Sequence, residues 1–448
     1  MKYPAAESST LEFKRELPSK QQIIKTIIGF CNMYGGTLIV GVDDFGEIIG
    51  INEESTPQIA EDLHRSIYAS CTPPILPSLH TQRIDNKILL LIEVSEGMAK
   101  PYFHSSSGKQ EGTFIRIGSE TVKATPLMIQ ELEWHSMGKY LDQFPIYAAT
   151  AEDIDLITFE SFLKSRKTPF TESDVHKLLQ PYGILTKEHN RIYPTLGGVL
   201  LFGKEPSKFL PESFIICTHF LGTSGREVVA TRDCVGSLLE QYKECMSFIL
   251  SRLNKKFTIK GAGARLETLE IPEEAIREIV INALIHRNYL IPGPTKIAIY
   301  DDRIEIFSPG NFPGPIHLDS LFMGMTYIRN TVIARIFREM GLVEKLGSGF
   351  LTVFRTYKER SLPTPVILEG TGFIKCILPR PVNISTSTEI EKSLLQLFYT
   401  KHEITSLDVM KSLSISRATA NRQLKELSEE GLIKKIGKGP TSRYIKNS

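Results

Sequence analysis

ESSTLEFKREL (residues 7–17) and GFCNMYGGTLIVGVDD (residues 29–44) decide how the N-terminal third is read. The first places two carboxylates, Glu7 and Glu12, five residues apart, with Lys14 just beyond. The second passes from helically spaced apolar residues into an apolar run that ends in Asp43 and Asp44. From Lys20 to Tyr34, the positions Ile23, Ile24, Ile27, Ile28 and Cys31 recur at helical spacing until Gly35-Gly36 breaks the pattern, so a helix feeding a strand is predicted. TLIVGV is apolar on both faces, and GEIIGI, after the turn at Asp43 to Gly46, is its expected hairpin partner. KILLLIEV (87–94) and GTFIRIGS (112–119) read as further strands, giving one mixed α/β domain over residues 1–135.

The whole chain has 448 residues, more than one hydrophobic core organises, so three or four domains are expected. Its 41% hydrophobic and 23% charged content is that of a soluble globular protein, and the net charge of +2 means that any basic surface is local. MKYPAAESST lacks the apolar stretch of a secretory signal, and no apolar run approaches a membrane span, so a cytoplasmic protein is expected. The six cysteines are scattered without C-x-x-C spacing, which argues for buried thiols over a zinc site or a disulfide framework.

Residues 136–262 read as a connecting segment of helices around two apolar strands, GGVLLFG and SFIICTHFLG. Residues 263–380 open on a helix, EEAIREIVINALIHRNY, followed by TKIAIYDDRIEIFS, a hairpin joined at Asp301-Asp302. A second helix, NTVIARIFREMG, leads into EKLGSGF. Glu278 and Asn282 are four apart and project from one helix face, where a carboxylate beside an amide oxygen could hold a Mg²⁺-bound phosphate. Gly310, Gly314, Gly347 and Gly349 would let backbone approach the phosphates, although an ordinary solvated pair on an amphipathic helix has the same spacing. No G-x-x-x-x-G-K-[ST] loop occurs, which excludes a P-loop motor.

Residues 381–388 are a polar, Ser- and Thr-rich linker, and 389–448 show three helix candidates followed by a ribbon, the winged-helix order. This tail holds eleven Lys or Arg against seven Asp or Glu, a net of +4. In a helix-turn-helix the second helix enters the major groove. Here it would start at an N-cap Ser416 and present Arg417, Thr419, Asn421 and Arg422, with Ala418 and Leu424 to Leu427 facing inward. Lys434, Lys435, Lys438 and Arg443 make the wing a cationic ribbon suited to phosphates, while use of the module for dimerisation alone stands as the alternative.

Two resemblances add to these readings. ESSTLEFK, GFCNMYGGTLIVGVDDFGEIIGI, KPYFH and GTFIRIGSETVKAT, in that order over residues 7–125, resemble the AlbA-like core domain of the Schlafen family. That likeness implies an acid trio, Glu7, Glu12 and Asp44, binding Mg²⁺ or Mn²⁺ for cleavage of nucleic acid, with Lys14 and Arg15 beside it and Lys100 and Arg116 along the backbone path. It implies a metal-dependent endonuclease favouring RNA such as tRNA, with phage defence as a role; relatives that only bind DNA imply instead a non-catalytic, ATP-responsive transcriptional regulator. REIVINALIHRNY, IEIFSPGNFPGPI and RNTVIARIFREMGLVEKLGSGF resemble a divergent GHKL-type ATPase module of RecG C-terminal-like proteins. That pattern implies ATP, with Glu278 as general base, Asn282 on Mg²⁺ and the four glycines framing the nucleotide, but Ser308 stands where the family carries an acid. The fold expected is α/β (α+β) and multidomain: an AlbA-like domain, a GHKL-like α/β sandwich and a winged helix, acting on RNA or DNA as a homo-oligomer.

Overall fold

The computed structural model describes residues 2–52, 56–166, 175–260, 264–314, 327–343, 349–381, 393–394, 397–398, 401, 403–429, 433–437 and 442–446. The chain divides into two units: Met1–Phe144 with Phe312–Thr331, and Pro145–Asn311 with Val332–Ser448. The first unit is therefore discontinuous in sequence.

In the first unit, strand β1 (Leu11–Lys14) runs parallel to β2 (Gly35–Val40), connected by helix α1 (Lys20–Asn32). Ser19 starts α1 through a reciprocal capping box with Gln22. Strand β4 (Lys87–Ser95) lies antiparallel to β2, and β3 (Ser78–Ile84) to β4, giving the order β1-β2-β4-β3. One face of this sheet packs Leu38, Val40, Leu90 and Ile92 against Ile23, Ile24, Ile27 and Ile28 of α1, and against Leu63 and Ile67 of α2 (Thr56–Ser70). The other face buries Phe13, Ile39, Val42, Leu89 and Leu91, which explains why TLIVGV is apolar on both sides.

GEIIGI departs from the expected hairpin partner. It makes only isolated bridges, Lys2 with Glu47, Val42 with Ile48 and Ile51 with Ile88, and the amides of Ile49 and Gly50 both turn back to Gly41 O. Gly41 sits at φ +104°, a conformation an L side chain rarely adopts. A hairpin of β5 (Phe114–Ile117) and β6 (Glu120–Lys123) and helix α3 (Pro126–Ser136) complete this part, with a small core of Met33, Ile115, Ala124, Ile129 and Leu132.

GGVLLFG is a helix, α4 (Leu196–Phe202), and not a strand. All seven of its residues are buried, so no alternation marks its period, and Thr195 caps it by accepting from Gly198 N. A side chain on Gly198 would meet Ile184 O at 2.1 Å, so the glycine is required by close approach. SFIICTHFLG supplies β7 (Ile215–Leu221), as expected, beside β8 (Glu227–Cys234). These do not stay in a connecting segment. Strand β7 runs parallel to β9 (Thr295–Ile299), so one sheet crosses residue 262, with β10 (Arg303–Pro309), β11 (Val366–Gly370) and β12 (Phe373–Pro379) in the order β8-β7-β9-β10-β12-β11. Helices α5 (Leu238–Leu250), α6 (Glu273–Ile285), α7 (Thr331–Glu339) and α8 (Gly349–Glu359) accompany it.

The tail forms β13 (Glu403–Thr405), α9 (Ser406–Leu413), α10 (Arg417–Glu429), β14 (Ile433–Ile436) and β15 (Arg443–Lys446), the sheet running β13-β15-β14. Leu394, Ile404, Val409, Ala420, Leu424, Leu427 and Ile433 make its core. Ala420, and not Ala418, is the inward alanine of α10, because Ala418 lies on the exposed first turn. Most of the first expected helix falls outside the described residues.

Asp408 closes a capping box at the start of α9, and hydrogen bonds from Lys401 Nζ and from Thr405 hold its carboxyl down at about 2. A depressed carboxylate stabilises the fold above its unfolded value near 4 and loses that contribution as pH falls toward 2. Hydrogen exchange of α9 in the full chain, corrected for intrinsic rates, is expected to lose protection between pH 4 and 2. Asp408→Asn should remove this pH dependence.

Candidate nucleic-acid and nucleotide sites

Glu12 lies in the interior of the first unit, paired with Leu38 across the sheet and only 7% exposed. Its carboxylate accepts from Arg116 Nη1, from Lys14 Nζ at 2.8 Å and from Thr26 Oγ1 at 3.3 Å. Arg116 is fully buried and also donates to Thr121 Oγ1 (2.9 Å) and Ser8 O (2.9 Å), with its guanidinium over the Phe30 ring at 4.9 Å. Burial pulls its pKa below the usual arginine value while Glu12 pulls it back up.

Of the other two acids, Glu7 lies close enough to bear electrostatically on Arg116, and Asp44 is exposed. Glu7 Oε1 accepts from Phe13 N at 2.8 Å. Glu7 and the exposed Asp44 line a shallow cavity of about 480 Å³ with Tyr3, Phe13 and Phe45, and Glu12 is not part of that lining. Asp43 serves the turn, its Oδ1 accepting from Phe45 N (3.0 Å) and Glu47 N (2.8 Å). Among the described residues no group of three His, Cys, Asp or Glu side chains is arranged to hold a metal ion. The expected trio is not assembled, for a physical reason: two cations already neutralise Glu12, and a divalent ion would have to displace a fully buried arginine. The donor set does not fit Mg²⁺ or Mn²⁺.

Lys100 and Arg116 do not line a backbone path. Lys100 is buried, donating to Met33 O (3.1 Å) and pairing with Glu96 (2.6 Å), so both cations are directed into the fold. Arg15 is exposed, as a phosphate contact requires. Sequence reasoning missed Asn32, which donates to Tyr102 O (2.7 Å) and Phe114 O (2.8 Å) and accepts from Tyr102 N (2.7 Å). The signal was there in a fully buried polar residue at the end of an apolar helix.

In the second unit α6 does bring Glu278 and Asn282 together. Both lie under Gly349 at the start of α8, where an added Cβ would meet Glu278 Oε2 at 2.7 Å and Asn282 Nδ2 at 3.0 Å. Glu278 is buried, and Asn282 Nδ2 is a buried donor with no hydrogen-bond partner among the described residues. Ser308 Oγ donates to Ala283 O (3.0 Å), tying the end of β10 to the same helix where the family carries an acid. Gly310 belongs to the strand end, its N–H donating to Gly372 O (2.8 Å) at φ +111°. Gly314 is taken up by the first unit, where the Tyr327 ring lies 2.7 Å from any Cβ placed there. Of the four expected glycines, Gly349 alone is at the Glu278–Asn282 pair among the described residues; Gly347 lies outside them.

In the tail, Ser416 caps α10 by accepting from Thr419 N at 3.2 Å, so Thr419 is partly occupied at the helix start. Arg417, Asn421 and Arg422 are exposed along α10, Arg422 in a loose pair with Glu426 (3.8 Å). Lys434 and Lys435 are exposed on β14, and Arg443 is exposed on β15 but paired with Glu403 at 2.8 Å. Lys438 lies outside the described residues.

Residues 7–125 match the family described as Schlafen, AlbA_2. The chain carries a Schlafen AlbA_2 domain. Beyond this Schlafen domain, residues 293–378 match the family described as ATP-dependent DNA helicase RecG C-terminal, a span that begins after α6. Residues 387–434 match winged helix-turn-helix DNA-binding proteins. Among solved structures, the chain is similar to the DIP2311 protein from Corynebacterium diphtheriae, 21% identical over 98% of this chain and 92% of that one, with a TM-score of 0.46. It is also similar to the N-terminal domain of a RecG-related helicase protein from Nitrosomonas europaea, 25% identical over 27% of this chain and 86% of that one, with a TM-score of 0.22. No curated protein matches the chain. The domain composition, a Schlafen domain with a winged helix, is that of a nucleic-acid-binding protein. Among the described residues no helix is long and apolar enough to cross a membrane.

Removing Arg116 leaves a buried carboxylate with one cation, and breaking such pairs costs about 3–5 kcal/mol. Arg116→Met is expected to destabilise the Schlafen domain by that order in urea unfolding, and Glu12→Gln by at least as much, because the fully buried guanidinium keeps its charge and loses its counter-ion. The double variant should cost less than the two single changes added together.

Proposed function

We propose that the chain is a nucleotide-responsive, DNA-binding transcriptional regulator whose Schlafen domain binds nucleic acid without cutting it. The observation that carries this reading is the closed cluster around Glu12, whose oxygens are committed to Arg116, Lys14 and Thr26. The exposed start of α10 and the lysines of β14 support DNA as the ligand: short and basic side chains for base edges, ammonium groups for phosphates. One observation favours metal-dependent cleavage of RNA such as tRNA, with a role in phage defence, as a second reading: Glu7 and Asp44 share a cavity.

ATP is proposed for the second unit. Asn282 offers a buried amide whose Nδ2 has no hydrogen-bond partner among the described residues, beside Glu278 and close under Gly349, where an added Cβ would push on the Glu278 carboxylate. These residues fit a nucleotide's Mg²⁺-phosphate group in type, the amide oxygen of Asn282 being the ligand.

Purified protein incubated with tRNA, single-stranded DNA and duplex DNA, with Mg²⁺, Mn²⁺ or EDTA, is expected to bind and leave every substrate intact. Metal-dependent cleavage lost in Glu7→Ala and Asp44→Ala would overturn the regulator in favour of the nuclease. Arg417→Ala and Asn421→Ala should each weaken specific DNA binding about 10-fold, within the range typical of base contacts. Lys434→Ala should instead lower the slope of affinity against salt by about 1.

Millimolar MgATP is expected to raise the unfolding temperature of the wild type and to leave Asn282→Ala unchanged. Equal shifts in both proteins would remove Asn282 from the site.

A further inference from the structure

A cavity of about 420 Å³ opens within the first unit, away from Glu7, Glu12 and Asp44. Its floor is apolar, built by Met33, Ile115, Met128, Leu132 and Ile328. Its walls carry Tyr34 and three rings set around one another: His135 lies 6.0 Å from Tyr140, edge-on, and 6.0 Å from Tyr327, tilted by 31°.

The polar groups at this cavity are few and specific. Lys100 Nζ is buried and uses two of its three donors, on Met33 O and on Glu96 Oε1, so one N–H is left. Glu96 keeps a second carboxylate oxygen, and its side chain is 40% exposed. A spare donor and a spare acceptor therefore stand side by side on residues that line the space. The charges cancel: Lys100 is balanced by Glu96, and Glu131 by Arg329 at 2.7 Å. Burial and the Lys100 ammonium hold the His135 imidazole below its ordinary pKa, so it is uncharged at neutral pH.

This chemistry discriminates among ligands. A phosphate or other anion would find the Lys100 ammonium already neutralised by Glu96, and an aliphatic chain would waste the donor and acceptor. A flat, neutral heterocycle uses what is present: aromatic rings in the lining to pack against, an adjustable methionine floor, and an adjacent donor and acceptor for its edge. We infer that this cavity binds a nucleobase, through Lys100 and Glu96 at its edge and His135, Tyr140 and Tyr327 around its plane. The base comes either as a free nucleoside or as an unstacked base of a bound strand. Tyr327 and Ile328 belong to the Phe312–Thr331 segment that the chain sends into this unit from between β10 and α7, so an occupant touches that segment directly.

The sequence contains a single tryptophan, Trp134, adjacent in α3 to the lining residue His135 and packed on Phe144 at 5.0 Å, which gives an intrinsic probe. Each of adenosine, guanosine, cytidine and uridine, and each single-stranded homo-oligonucleotide of ten residues, is titrated to 2 mM while Trp134 fluorescence is followed. Saturation-transfer NMR on the same samples detects contact with the base protons. At least one base is expected to bind with a Kd below about 1 mM, and His135→Ala and Tyr327→Ala, checked for native circular dichroism, should each weaken it 10-fold or more. Binding must persist in Asn282→Ala, which separates this cavity from the proposed ATP site. Binding by nucleosides identifies a free ligand, and binding by oligonucleotides alone identifies a strand; both support the site. No saturation transfer from any base in the wild type, or affinity unchanged in both ring variants, or affinity lost in Asn282→Ala, overturns it.

Discussion

The Arg116–Glu12 ion pair is the constraint around which the N-terminal unit is arranged. A guanidinium with no exposed surface needs partners inside the fold: Glu12 on β1, Thr121 on β6, the Ser8 carbonyl and the face of Phe30 on α1 supply four, while its Nε has no hydrogen-bond partner among the described residues. Desolvating both charges is costly, and a pair of this kind is weak evidence of added stability. Its effect is on uniqueness of arrangement. A small hairpin with little core of its own is held in one position against the sheet, because any other docking strands a buried cation. The same commitment decides the chemistry available, since a carboxylate saturated by two cations and a hydroxyl is a counter-ion and not a metal ligand.

How much of this the sequence revealed depends on how local each determinant is. Helix α1, the β9–β10 hairpin and the winged helix were legible, since spacing, capping residues and turn chemistry all act within a few positions. GGVLLFG was not, because a segment buried on all sides has no polar face to mark its period. Lys100 and Arg116 read as surface cations, yet their partners lie in the Met33–Glu96 region and 104 positions away at Glu12. Gly314 read as a phosphate glycine for the same reason: its real neighbour, the Tyr327 ring, is brought to it only by tertiary structure.

The pairing of Glu278 with Asn282 was legible from their i, i+4 spacing, while the residue that completes the arrangement was legible only as one glycine among several. Gly349 is singled out by contact, because a methyl group there would press on both side chains at once. The winged helix divides its labour similarly. Leu424 and Leu427 turn inward while Arg417, Asn421 and Arg422 stay outside, so the basic character of a nearly neutral chain is concentrated where a groove could receive it.

The discontinuity of the first unit has a temporal side. A ribosome delivers Met1–Phe144 early, but Tyr327, Arg329 and Thr331, which bear on His135, Glu131 and Gln143, emerge only after the strands β7 to β10 have been synthesised. Vectorial folding of the N-terminal unit is thus incomplete until residues 327–331 have emerged, by which time most of the second sheet has been synthesised.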